Sequence, residues 1–286
     1  MKRVAIASLL VLLGAGAAAA QSASSRAWQQ RLKLEIPLAV PIVELESVNP
    51  FAIAVDEPPS LLQSASPRKV DVRGIATLAA YVDAKGECLG GVPLELPFPG
   101  LTTPMVQGLT GSRFDPAVGG GAARASWVIL EITMEGRVKE AEVLEEVFES
   151  PDPRSPPVPS VPLVMAPPGN LRKLGFTPQS QLTTLAAPRR VRIKAPGRED
   201  EIHLRALVHI TEAGRCDRYV PLELYEGLNP WLSGYLATWR LEPATRDGAA
   251  HESWVVYSAR VRLDLGGLDS TTVRVLRDRE YRPDGQ

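Results

Sequence analysis

GECLGGVPLEL, Gly86–Leu96, decides the reading, because the chain writes it again as GRCDRYVPLEL, Gly214–Leu224. Seven of the eleven positions agree at an offset of 128 residues; unrelated stretches of average composition agree at roughly one position in fifteen. Working outward, GAARASWV (121–128) answers to GAAHESWV (248–255), and Asp115-Pro116-Ala117 answers to Glu242-Pro243-Ala244, both at offset 127. Upstream, SPRKVDV (66–72) resembles APRRVRI (187–193) at offset 121, which implies seven extra residues around Ala195–Glu201 in the second copy. The pattern reads as one unit written twice.

Within a copy, Ile75–Val82 places Ala76, Leu78, Ala80 and Val82 on one face, the period of a strand. Asp83–Gly86 reads as a hairpin turn with Gly86 supplying a positive φ, and Cys88–Leu96 returns as the second strand. In the second copy Asn229 reads as a helix N-cap with Pro230 at the first helical position. Trp231, Leu232, Tyr235, Leu236 and Trp239 then make one helical stripe. The first-copy helix, 104–112, contains Gly108 and Gly111. Each costs about 1 kcal/mol relative to alanine, so a shorter or frayed helix is expected.

The last strand alternates Val255, Tyr257, Ala259, Val261, Leu263 and Leu265 with Trp254, Val256, Ser258, Arg260, Arg262 and Asp264. The first copy keeps the phase, with Val128, Leu130, Ile132 and Met134 inward. The expected fold class is therefore α+β: two similar small domains, each an antiparallel strand–strand–helix–strand sheet with one helix packed on it. The repeats span 67–149 and 188–268. Residues 138–148 either continue a strand or form a short helix, solvated by Glu140, Glu142, Glu145 and Glu146. Residues 150–187 are a proline-rich linker, with eight prolines in the 19 residues 150–168. Residues 21–66 form a partly extended N-terminal extension, and 269–286 a tail with a strand-like piece at 272–276.

Composition narrows the class. With 44% hydrophobic and 23% charged residues and a formal net charge of −1, the chain fits a globular protein and lacks the basic footprint of a nucleic-acid binder. Residues 1–20 have the form of a signal peptide: Lys2-Arg3, an apolar run from Val4, then Ala18-Ala19-Ala20 before Gln21. Cleavage after Ala20 removes Lys2 and Arg3 and takes the net charge from −1 to −3. The expected location is the periplasm or the exterior; the alternative is the inner membrane, anchored by residues 4–20. Export places Cys88 and Cys216, at equivalent positions of the repeats, in an oxidising space. They are either small buried apolar residues or a disulfide joining the copies, which requires Cα atoms within about 7 Å.

No catalytic constellation, metal site or cofactor site is expected. His203, His209 and His251 have no ligand spacing, no GxSxG elbow occurs, and Gly119–Gly121 follow a Pro-Ala turn rather than opening a helix. His203 and His209 read as surface residues, and Glu95 and Glu223 as solvated strand carboxylates. Trp127 and Trp254 point away from the helix-covered face, either capping the sheet against a loop or offering an aromatic surface to a partner.

Taken together, the second copy resembles the C-terminal domain of the TonB family of periplasmic energy transducers. The matching parts are Leu204–Ile210, the turn 211–214, Cys216–Leu224, the helix from Asn229, Trp239-Arg-Leu-Glu-Pro-Ala244, Arg246-Asp-Gly248 and Trp254–Leu265. The first copy matches through Val82–Gly86 and Phe114-Asp-Pro-Ala117. The resemblance implies a final strand at the sheet edge that accepts an extended peptide by strand addition. Carried onto this chain, the partner-binding residues are Trp254, Val256, Ser258, Arg260 and Arg262, with Trp127, Ile129 and Glu131 in the first copy. The expected function is a non-enzymatic protein-binding or adaptor module at the cell envelope. The expected partner is a protein or peptide of the envelope, an outer-membrane receptor among the candidates. The alternative is an anchored energy transducer for outer-membrane transport, with inner-membrane motor proteins as partners if the N-terminus is retained. That segment departs from the family pattern: Ser8 is followed one turn later by Leu12, and no histidine is present.

Overall fold

The computed structural model describes residues 40–159 and 177–277. The signal-peptide reading, residues 21–39 of the extension, residues 160–176 of the linker and the end of the tail lie outside them. The strands of the main sheet are β1 (Val70–Val82), β2 (Cys88–Glu95), β3 (Ser126–Glu149), β4 (Lys194–Ala195), β5 (Arg198–Ile210), β6 (Cys216–Glu223), β7 (Ser253–Leu265) and β8 (Leu268–Leu276). The helices are α1 (Thr102–Thr110) and α2 (Asn229–Thr238).

The expected pair of separate α+β domains is corrected here. The fold is mostly β, 55% strand against 13% helical, with a single curled eight-stranded sheet through both repeats and two helices among the described residues. One apolar cluster holds Leu78, Leu130 and Met105 of the first repeat together with Leu204, Trp231 and Val261 of the second. The cause is the length of β3. Its first half pairs with β1 from Val82↔Ser126 to Val70↔Val138. Its second half continues past Val138 and pairs with β7 from Leu265↔Val138 to Val256↔Glu149. A three-stranded sheet under a nine-residue helix buries little apolar surface by itself; fusing two such sheets gives both a shared core.

All pairings in this sheet are antiparallel, in the lateral order β2-β1-β3-β7-β5-β6. β8 continues β7 along the same edge of β3, from Asp269↔Glu135 to Leu276↔Ile129, after the break at Gly266-Gly267. The arrangement has an internal two-fold. Adding 127 to Ile129 and subtracting it from Leu276 turns that pair into Val256↔Glu149, also observed. Val138↔Leu265 maps onto itself, so the axis passes there. Even the irregularities repeat: Thr77↔Glu95 steps to Leu78↔Pro93, as Arg205↔Glu223 steps to Ala206↔Pro221.

The repeats also exchange their lead-in segments. Ser60–Gln63 pairs with Arg240–Glu242 of the second repeat, and Ala187–Arg190 pairs with Arg113–Asp115 of the first. Thus 187–190 is the counterpart of 60–63, and Val70 corresponds to Arg198 through their pairings with Val138 and Leu265. The sequence match of 66–72 to 187–193 does not survive as a structural equivalence. The helices cross over too. Trp231 donates its indole N–H to Ser66 Oγ at 3.3 Å. Conversely, a Cβ on Gly108 would lie 2.6 Å from Ile193 Cγ1, so the glycine in α1 is what lets that helix sit down.

Both hairpin turns need glycine for two reasons. Gly86 and Gly214 have φ of +80° and +65°, and a Cβ would meet Phe114 O at 2.0 Å and Leu241 O at 1.9 Å. The same close approach lets Phe114 N donate to Gly86 O and Leu241 N to Gly214 O. Asn229 is not the N-cap of α2: it lies inside the helix in αR geometry, Leu228 precedes it, and no side chain caps the end. The segment 138–148 is strand throughout. Its Phe148 enters the second repeat's aromatic cluster, 5.2 Å from Trp239 and 5.3 Å from Tyr257. Beside it Glu146 Oε2 accepts hydrogen bonds from Tyr235 and Tyr257 at 3.1 and 3.2 Å.

Candidate functional site

The final strand of each repeat is interior to the sheet. β7 lies between β5 and β3, so Ser258 is paired on both sides, with Arg205 and with Val147. Glu131, its counterpart, is paired with Thr77 and Arg274. Backbone groups there are already used inside the chain, and strand addition at these residues would have to displace a native strand. The expected edge position of the final strands is therefore replaced by an internal one, because each repeat serves as the other's added strand.

The side chains named from sequence divide into two groups on the outer face, opposite the helices. In the middle of the sheet are ion pairs. Arg262 donates to Glu142 Oε2 at 2.9 Å and Glu201 Oε1 at 3.1 Å. Arg260 lies 3.7 Å from Glu145, and Glu131 lies 4.0 Å from Arg274. These pairs are solvated and contribute little each. Towards the end of the second repeat the same face is apolar: Leu207, Val220, Leu222, Trp254 and Val256 form a separate cluster. In the first repeat Trp127 sits edge-on to Tyr81 at 5.4 Å, and Ile129 is half-buried.

A strap from the N-terminal extension covers the second-repeat cluster. Val43, Leu45, Val48 and Ile53 pack on it. The strap enters along the outer edge of β6, where Ile42 forms a parallel bridge with Tyr219. Tyr219 N donates to Pro41 O at 3.1 Å and Val43 N donates to Tyr219 O at 2.9 Å. One residue earlier, buried Ser233 on α2 holds the backbone of Val40 at both ends: Val40 N donates to Ser233 Oγ at 2.7 Å, and that hydroxyl donates to Val40 O at 2.9 Å. The far end is tied by Asp56 N donating to Thr245 O at 2.8 Å. An extended segment added to a sheet edge, with side chains filling an apolar patch, is peptide recognition carried out within one chain.

His209 corrects the surface reading. It is 1% exposed, with Nδ1 2.7 Å from Asp217 Oδ1 and Nε2 3.5 Å from Glu252 Oε2. Its ring lies 4.9 Å from Trp254, and the Arg218 guanidinium stands 5.5 Å over that indole. Its counterpart in the first repeat is Tyr81, which meets Trp127 in the same way. Glu95 is also less solvated than read, accepting from Thr77 Oγ1 at 3.0 Å, whereas Glu223 is exposed.

Cys88 and Cys216 are both free. They occupy β2 and β6, the two outer strands of the six-strand order, with four strands between them, and no disulfide joins them. Burial pushes both thiols up, so neither is a ready nucleophile. Among the described residues no group of three or more histidine, cysteine, aspartate or glutamate side chains is placed to hold a metal ion. Likewise no helix there is long and apolar enough to cross a membrane.

No family model, curated protein or solved structure matches this chain. What the chain does is read from its own geometry.

Sequence reasoning missed Ser233, Tyr219 and residues 40–53 as parts of one site. Ser233 lies off the apolar stripe of α2, so helical phase gave no sign that its hydroxyl is buried and needs a partner.

Proposed function

We propose that this is a non-enzymatic, exported protein of the cell envelope that works as a protein-binding adaptor. It takes an extended segment of a partner on the outer face of its second repeat. The carrying observation is the strap: a short stretch of chain held there by four hydrogen bonds to Ser233 and Tyr219, above a patch containing Trp254 and Val256. A groove that reads backbone and buries alternate apolar side chains suits a peptide ligand, and the residues around it supply no catalytic set. The resemblance of both repeats to the TonB C-terminal domain, together with the Met1–Ala20 pattern, supports placing it in the periplasm.

The test has two arms. N-terminal mass spectrometry of the chain from its native envelope is expected to show a start at Gln21; retention of residues 4–20 would favour the anchored transducer instead. A photo-crosslinking residue at Val256, compared with one at His203 in the polar middle, is expected to give discrete protein adducts in the envelope only from position 256. Equal labelling from both positions, or none between proteins, would count against an adaptor role for this face.

A further inference from the structure

The segment 40–53 is held unlike the rest of the chain. Its side chains Val43, Leu45, Val48 and Ile53 are only half-buried, its one helical turn is the three-residue Leu45–Ser47, and it meets β6 at a single bridge. Beneath it, Leu207, Val220 and Leu222 are at most 3% exposed. The receiving surface is built as core while the occupant is a thin cover. Segments with few buried contacts open at a free energy well below that of global unfolding.

The receiving groups are specific. Ser233 is fully buried, and its hydroxyl bonds both the N–H and the carbonyl of Val40. Its counterpart in the first repeat is Val106 (233 − 127), which has no hydroxyl, so this clasp exists in the second repeat alone. The occupant is equally defined. Val40 is 2% exposed, Pro41 contributes its carbonyl and has no N–H to leave unpaired, and Val43 supplies the next amide. Proline also biases the residue before it to extended backbone, which reduces the entropy lost on docking. The sequence writes the same form once more as Val161-Pro-Leu-Val164, outside the described residues.

We propose that residues 40–48 are a resident, displaceable occupant of a peptide site, and that the site takes in trans an extended peptide of the form Val-Pro-aliphatic-Val. This rests on the binding role proposed above and adds the ligand's chemistry and its regulation. While the strap is seated the protein is self-occupied; a competing segment must lift it. Because the strap is tethered at Asp56, its effective concentration is high, and a free peptide binds the intact protein weakly.

The experiment uses the full chain and a fluorescent peptide of sequence VPIVELESV, residues 40–48, read by anisotropy. The double variant Val43→Pro, Leu45→Asp releases the strap by removing one amide donor and placing a charge over the apolar patch. It is expected to bind the peptide at least tenfold more tightly than the unmodified protein. Adding Ser233→Ala should take most of that gain away, while a peptide with aspartate in place of its first valine should not bind. If the released variant remains folded by its thermal melt and shows no gain, the proposal is overturned. Should the release variant not fold, hydrogen exchange on the unmodified protein decides: saturating peptide must increase deuterium uptake in residues 40–48, and unchanged uptake overturns displacement. Peptide binding without envelope adducts at Val256 would sink the adaptor role and leave this site standing; adducts without peptide binding would do the reverse.

Discussion

Tyr81 and His209 hold the same position in the two repeats and meet equivalent tryptophans, Trp127 and Trp254, at similar distances. The first pair is two aromatic rings set edge-on. The second is set among Asp217, Glu252 and Arg218, next to the patch that the strap covers. The helices differ in the same direction. Where α2 carries Tyr235, followed by Trp239 at its end, the first repeat has Gly108 and Ser112. Backbone register is held pair for pair across the internal two-fold while side chains are not. Duplication kept the hydrogen-bond ladder, which any side chain can occupy, and let packing and polar chemistry diverge between the halves.

That contrast can be broken first at the helices. Replacing Trp239 with alanine should destabilise the protein by about 3–5 kcal/mol, because the indole is fully buried against Phe148 and Tyr257. Ser112→Ala at the matching site should cost about 1 kcal/mol, the loss of its hydrogen bond to Gly108 O. Denaturant unfolding measures both, and equal costs would refute the asymmetry. The shared ladder is tested by proline. Ser258→Pro and Glu131→Pro each place proline in a strand paired on both sides, so both should cost about 3 kcal/mol or more. A variant that lost a partner's binding but kept full stability would instead return that strand to the sheet edge.

The turns sharpen the comparison further. Gly86→Ala and Gly214→Ala should each cost about 2–3 kcal/mol, the same within error, since both have positive φ and the same close backbone approach. The smallest effects concern charge. Asp71 faces Arg137 in the first repeat, whereas at the matching place in the second Glu199 faces Asp264. Asp264→Arg should therefore stabilise by up to about 1 kcal/mol. The Arg137 hydrogen bond holds the Asp71 carboxyl below its ordinary value. Its contribution is accordingly present above the unfolded-state pKa of about 3.9 and is lost as pH falls through the lower folded value. Arg137→Ala should flatten stability against pH in that acid range, its small cost appearing at neutral pH and vanishing below the folded value.

The repeat, the hairpins with their glycines, the helix in each copy and the inward set of each last strand were legible in the sequence, because each is a local pattern. The pairing of β3 with β7 was not. The period of two simply continues through Val138–Glu149, and nothing in residues 138–149 names the strand they will meet more than 100 positions on. For the same reason the final strands were read as edges. The outward phase of Trp254 and Val256 was read correctly, but their cover was not, since Val43–Ile53 is cut by proline and has no strand period of its own. His209 followed from that omission: a strand face is wet or dry according to what lies on it.

The reach of β3 across the two-fold sets the order in which this protein can mature. Residues 138–149 are delivered before the strand that pairs with them, at least 107 positions earlier (149 against 256). Until then their margin is unmated, the kind of feature that nucleates fibrils. Glu140, Glu142, Glu145 and Glu149 lie exposed along it. Four carboxylates on one margin repel a second nascent copy, so the segment that joins the finished molecule also guards it from its own siblings while it waits.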